Sequence, residues 1–165
     1  MQTLREITPK DNKLIAVYGA AGLRDVEKRL EMGKWGAKLA DITIFTMDDP
    51  RTENVDDITN KLIDGALKTK AKEITPSEIS LARSNLARLE TQHVFLRITN
   101  RKEAIEFALK LAKSGDIVAL LGKGHEKSLA VGQEEIPWSD QKIARNILKL
   151  RGLKPSDSSS RASSA

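Results

Sequence analysis

Lys13-Leu14-Ile15-Ala16-Val17-Tyr18 runs straight into Gly19-Ala20-Ala21-Gly22, and this junction decides the fold. A short apolar run that stops at glycine reads as a buried strand ending in a turn. Beyond it, Val26 to Ala40 carries Val26, Leu30, Met32, Trp35, Ala37 and Leu39 roughly on one helical face. Strand, glycine turn and helix together open a layered α/β sheet.

Working outward, the alternation repeats. Ile42 to Thr46 is a β-branched run, and Val55 to Leu67 has helical period through Val55, Ile58, Leu62, Ile63 and Ala66. Thr75-Pro76-Ser77-Glu78 is an N-cap with Pro at the first helical position and acid in the first turn. It predicts an added surface helix reaching about Leu89. Val94 to Ile98 reads as a strand and Arg101 to Lys113 as a helix, stopped at Ser114-Gly115-Asp116. Ile117 to Leu121 is apolar throughout and predicts a strand buried on both faces. Ser139 caps a final helix that ends near Leu150, with Gly152 as its stop. Leu4 to Ile7 reads as the tail of a helix that begins upstream. The expected fold is α/β: an open, mostly parallel sheet with helices on both faces, occupying residues 1–152. Residues 153–165 form a low-complexity, Ser-rich tail expected to be disordered.

Composition narrows the function. With 165 residues, 39% of them hydrophobic, the chain can bury one ordinary core. The absence of cysteine excludes a disulfide framework and any thiolate metal site, and fits a reducing compartment. No run approaches the roughly 20 apolar residues of a membrane span, and Met1 to Glu6 is not a signal peptide. A cytoplasmic protein is expected. The formal charge of +5 raises the question of nucleic acid. The 23 acidic residues are interspersed with the 28 basic ones, however, and aromatics are only 4%, so few stacking platforms exist.

Three loops can carry chemistry, each at the end of an expected strand, the edge where ligands bind in open α/β sheets. Gly19 to Asp25, continuing to Lys28-Arg29, either cradles an anion with backbone N–H groups or simply makes a tight turn. It matches neither the dinucleotide fingerprint nor the P-loop. Arg24, Lys28 and Arg29 favour the anion, since a guanidinium fork suits carboxylate or phosphate. Asp48-Asp49-Pro50-Arg51 is either a turn or a charged binding loop. Gly122-Lys123-Gly124-His125-Glu126 permits close approach of backbone to ligand, and His125 could act as acid or base or be structural. His93 has no such setting. Together the loops suit a small molecule carrying both ammonium and carboxylate groups. There is no His-Glu-x-x-His cluster and no nucleophile elbow.

Gly-Ala-Ala-Gly-Leu-Arg-Asp-Val-Glu-Lys-Arg (19–29), Ala40-Asp41-Ile42, Asp-Asp-Pro-Arg (48–51), Gly115-Asp116-Ile117-Val118 and Gly-Lys-Gly-His-Glu (122–126), followed by Pro137-Trp138-Ser139-Asp140, resemble the C-terminal domain of Mur ligases. Order and spacing are most similar to the MurE type, which adds the third residue of the peptidoglycan stem peptide. The resemblance spans Leu4 to Leu150. It implies a Rossmann-like domain of an ATP-dependent amide ligase. In that family a central P-loop domain, with ATP and Mg2+, phosphorylates a carboxylate of UDP-MurNAc-L-Ala-D-Glu. The C-terminal domain then supplies the amino acid whose amine attacks.

By motif, the resemblance implies that Arg24 and Arg51 hold the distal carboxylate of a diamino acid. Asp48, Asp49 and Pro50 shape that loop, Gly122 offers a backbone contact and Glu126 accepts the ammonium. Asp25, Lys28, Arg29, Lys123 and His125 would face phosphates. Members that add meso-diaminopimelate usually have Asn where this chain has Asp49. A carboxylate only accepts hydrogen bonds, so L-lysine competes with meso-diaminopimelate as the expected ligand. The family's uridine-nucleotide and ATPase domains lie outside this chain, which is expected to be a fragment without ligase activity of its own. The alternative is a stand-alone basic module that binds nucleic acid or scaffolds proteins.

Overall fold

The structure, a computed structural model, describes residues 1–82 and 93–152. The expected helix end near Leu89 and the expected disordered tail lie outside those residues. The central sheet holds β1 (Leu14–Tyr18), β2 (Ile42–Phe45), β3 (Lys72–Glu73), β4 (Val94–Arg97) and β5 (Ile117–Leu120) in the order β3-β4-β2-β1-β5. Every pairing in it is parallel. Six helices accompany it among the described residues: α1 (Gln2–Ile7), α2 (Val26–Leu39), α3 (Val55–Ala66), α4 (Pro76–Ala82), α5 (Arg101–Leu111) and α6 (Asp140–Leu150). None is long and apolar enough to cross a membrane.

Alternation along the strands builds two cores. Leu14, Ala16 and Tyr18 of β1 pack with Phe45 and Phe95 against Ala37 of α2 and Ile58, Leu62 and Ala66 of α3. Ile15 and Val17 point the other way, to Ala104, Ile105 and Ala108 of α5, with Ile143 and Ile147 of α6 behind them. Side chains of a strand alternate between faces, so a strand covered on both sides must be apolar throughout. β1 meets that demand and is fully buried. β5 is apolar throughout as well, yet it ends the sheet order, and only Ala119 within it is buried. The expectation of burial on both faces overlooked that an edge strand has one neighbour fewer.

The caps follow sequence closely. Asn54, Asn100 and Ser139 each accept a backbone N–H in the first turn of α3, α5 and α6. Thr75 and Glu78 cap α4 reciprocally, Glu78 N donating to Thr75 Oγ1 and Thr75 N to Glu78 Oε2. The short β3 was not anticipated, nor was an antiparallel hairpin, β6 (Ser128–Val131) and β7 (Glu134–Pro137), which meets the loop after β2 through the bridge from Arg51 to Val131 and through Ala130 N, donating to Asp49 Oδ1.

Candidate functional site

The chain moves from β1 outward to β2 and later returns, through α5, to place β5 on the other side of β1. Where strand order reverses in this way, helices depart to opposite faces and a crevice opens at the carboxyl ends. Here the crevice is about 660 Å3, lined by Tyr18, Arg24, Trp35, Asp48, Leu121 and Gly122 among others. That volume suits a small molecule.

The loop after β1 is locked against the loop after β2. Gly22 N donates to Asp49 O at 2.9 Å, and a Cβ on Gly22 would lie 1.9 Å from Pro50 O. Only glycine permits that approach. Arg29 is 1% exposed, and its guanidinium grips both Glu53 oxygens, at 2.5 and 2.8 Å, and Ala21 O at 3.0 Å. Glu53 also accepts from Leu23 N. The hydrogen bond from Arg29 pulls the Glu53 carboxyl down to about 2. Arg29 is therefore a buried strut between the loops, not a group facing phosphates. Arg24, Asp25 and Lys28 are exposed on the crevice side, and Lys28 pairs with Asp25 at 2.8 Å.

Asp48, Asp49, Pro50 and Arg51 wrap the end of β2. Asp49 and Arg51 both adopt left-handed backbone, φ 43° and 52°, a conformation that costs non-glycine residues energy and tends to mark functional loops. Arg51 spans to the first loop, its guanidinium donating to Gly22 O at 2.8 Å. Its backbone pairs with the hairpin, Arg51 N to Ala130 O and Gly132 N to Arg51 O. The Asp48 side chain is buried over Gly122, whose missing Cβ would sit 1.9 Å from Asp48 Oδ2. Burial pushes its carboxyl up to about 6, against the pull of Arg101 and Lys123.

The Gly122–Glu126 loop brings its lysine inward. The Lys123 side chain is 1% exposed, and its Nζ donates to Asp49 Oδ1 and Glu126 Oε2, each at 2.6 Å. Burial alone would lower the Lys123 ammonium; the two carboxylates outweigh it and raise it above the usual lysine range. His125 is exposed, and Glu126 keeps half its side chain in solvent. Neither Lys123 nor Arg29 is placed to meet a phosphate.

With this geometry in place, similarity to known proteins decides the family. A family model described as "Mur ligase, glutamate ligase domain" matches residues 1–124. The chain belongs to the Mur ligase family. It is 34% identical, over 95% of its length, to UDP-N-acetylmuramoyl-L-alanyl-D-glutamate--2,6-diaminopimelate ligase of Alkaliphilus metalliredigens, covering 27% of that protein. It is 36% identical, over 83% of its length, to UDP-N-acetylmuramyl-tripeptide synthetase of Borreliella burgdorferi, covering 23%. A solved structure of a UDP-N-acetylmuramoyl-L-alanyl-D-glutamate--2,6-diaminopimelate ligase superposes with a TM-score of 0.67 at 29% identity, over 86% of this chain and 24% of that one. The chain thus spans about a quarter of the length of the relatives it matches. The Rossmann-like parallel sheet expected from sequence is the fold of this Mur ligase neighbour.

Two supports of the crevice escaped sequence reasoning. Arg101 is wholly buried and donates to Asp140 twice, to Met47 O at 3.2 Å and to Leu121 O at 2.8 Å. It ties the ends of β2 and β5 to the start of α6, where Trp138 Nε1 also binds Asp140. The signal was present: a cation in the first turn of a helix opposes the macrodipole, so Arg101 needed another partner. The Arg29–Glu53 strut is the second: in the structure Arg29, Gly33, Gly36 and Ala37 share the buried stripe of α2.

Proposed function

We propose that this chain is the amino-acid-binding domain of a peptidoglycan-precursor ligase, receiving a diamino acid, meso-diaminopimelate ahead of L-lysine. The carrying observation is Asp48. Three carboxylates line the crevice; Asp25 is paired with Lys28 and Glu31 with Lys34, whereas Asp48 makes no side-chain hydrogen bond among the described residues. An ionised carboxylate held out of water without a partner invites a cation from the ligand. Arg24 on the same wall and the free edge of the Arg51 guanidinium offer the opposite charge to a carboxylate. Glu126, half exposed, adds a second acceptor for an ammonium. Arg24 lines the crevice itself, while Arg51 and Glu126 stand on the loops beside it. A zwitterion with a distal amino-acid centre could reach from one to the other, and the two guanidinium groups favour the ligand that carries the extra carboxylate.

In this reading the bound amine attacks the acyl phosphate of UDP-MurNAc-L-Ala-D-Glu, an amide bond forms and inorganic phosphate leaves. The acyl phosphate comes from ATP with Mg2+ in a separate P-loop domain. Among the described residues no group of three His, Cys, Asp or Glu gathers that could hold a metal ion. Its own residues bind and orient the nucleophile. Titration calorimetry tests the reading: saturable binding of meso-diaminopimelate, weaker binding of lysine, and loss of the former in Arg51→Ala. A chain that gives no heat with either at millimolar concentration refutes it.

A further inference from the structure

Asp49 is the loop residue whose charge bears on which diamino acid is taken. Its Oδ1 accepts two hydrogen bonds, from Lys123 Nζ at 2.6 Å and from Ala130 N at 2.9 Å. Its side chain is 18% exposed, while Lys123 is 1% exposed. A buried ammonium stripped of its counter-ion is costly, and Lys123 has two candidates for that role. Glu126, the other, keeps 50% of its side chain in solvent. One cation between two carboxylates leaves one negative charge in surplus, and the geometry puts that surplus on the exposed member.

We infer that Asp49 is the counter-ion of Lys123 and does not read the ligand, and that Lys123 is the positioning residue holding both Asp49 and Glu126. The inference rests on the amino-acid-binding reading above and sharpens it. Selection between a distal carboxylate and a bare ammonium then falls to Arg51, Arg24 and Glu126. The bonds made by Asp49 explain why its charge can be present without favouring lysine. Its bonded oxygen faces the interior, towards Lys123 and the hairpin backbone. Desolvation would raise the Asp49 carboxyl, yet the hydrogen bonds from Lys123 and Ala130 carry it below the usual range, as expected of a committed counter-ion.

Asp49→Asn separates the possibilities, because an amide oxygen can keep both N–H donors while removing the charge. In the ligand-free chain, 15N NMR should find Lys123 Nζ titrating above the ordinary lysine range, and lower in Asp49→Asn. An unchanged Lys123 titration overturns the pairing. Calorimetry on the same two proteins should give a ratio of meso-diaminopimelate to lysine affinity that agrees within about threefold, although both affinities can fall together. A tenfold rise in that ratio would mean that Asp49 repels a ligand carboxylate directly, and would overturn the inference. If the wild-type chain bound neither amino acid, the amino-acid reading would fail, and the NMR arm would still decide the Lys123–Asp49 pairing.

Discussion

Arg101 and Asp140 form a double hydrogen bond beneath the site, Nε to Oδ1 at 2.9 Å and Nη2 to Oδ2 at 2.7 Å, with side chains 0% and 3% exposed. Removing one member of such a pair leaves the other charged in the interior, at a cost of roughly 3–5 kcal/mol. Arg101→Met should therefore lose about 3 kcal/mol or more in urea unfolding. It should also weaken amino-acid binding, since Met47 O and Leu121 O lose their common donor. A variant within about 1 kcal/mol of wild type would show that the pair does not support the strand ends.

Asp48 should trade stability for binding. An unfolded Asp titrates near 3.8 and Asp48 in the fold at about 6, so the native chain holds the extra proton between those values. The sign follows: its carboxylate destabilises the fold above pH 6, and the penalty disappears below about pH 3.8. At about 1.4 kcal/mol per pKa unit the penalty is of order 1–3 kcal/mol at neutral pH. Asp48→Asn should raise the melting temperature at pH 7.5, leave it unchanged at pH 4 and abolish amino-acid binding. An equal gain at both pH values would contradict this account.

Glu53 should show the opposite dependence. Its folded value of about 2 lies below the unfolded 4.5, so its contribution is complete above pH 4.5 and fades as pH falls towards 2. Glu53→Gln leaves the Arg29 guanidinium buried without a charged partner and should cost about 3 kcal/mol at pH 7. The gap from wild type should close on acidification. Denaturation midpoints between pH 2.5 and 7 would reveal a gap that stayed constant.

Gly122→Ala should fail for two reasons that add. Its φ is +102°, where a side chain is strained by roughly 1–3 kcal/mol, and the new methyl would meet Asp48 Oδ2 at 1.9 Å. Lower stability and lost binding are expected together. Gly132→Ala, with positive φ but nothing within 4 Å, should lose a little stability and keep binding. Matching losses of binding in the two variants would remove the steric argument.

Much of the fold was legible because its signals are local. β1, β2 and β4 announce themselves as apolar runs that end at turns, and the Thr75 and Ser139 caps are read directly from residue type, whereas the Asn54 and Asn100 caps emerge from the structure. The hairpin was not legible: Ser128 to Pro137 contains two glutamates in succession and exposes most of its residues, so it has no strong alternation to detect. The loops of the site were found, but not the direction of their charges. A lysine between two glycines gives no hint that it turns inward, and burial of Lys123 depends on carboxylates brought from Asp49, 74 positions earlier. The placement of Arg29 followed the same logic, since its partner Glu53 belongs to another loop.

The pairing of Arg51 with the hairpin constrains which insertions the domain can tolerate. Arg51 N reaches Ala130 O at 3.0 Å, Gly132 N reaches Arg51 O at 2.7 Å, and Ala130 N reaches Asp49. Alternate residues of a strand face opposite ways, so a one-residue slip in β6 would turn the N–H of position 130 away from Asp49. Length changes in this segment should therefore be accommodated at the Gly132-Gln133 tip, or two residues at a time, and a single added residue in β6 should silence the site while leaving the parallel sheet intact.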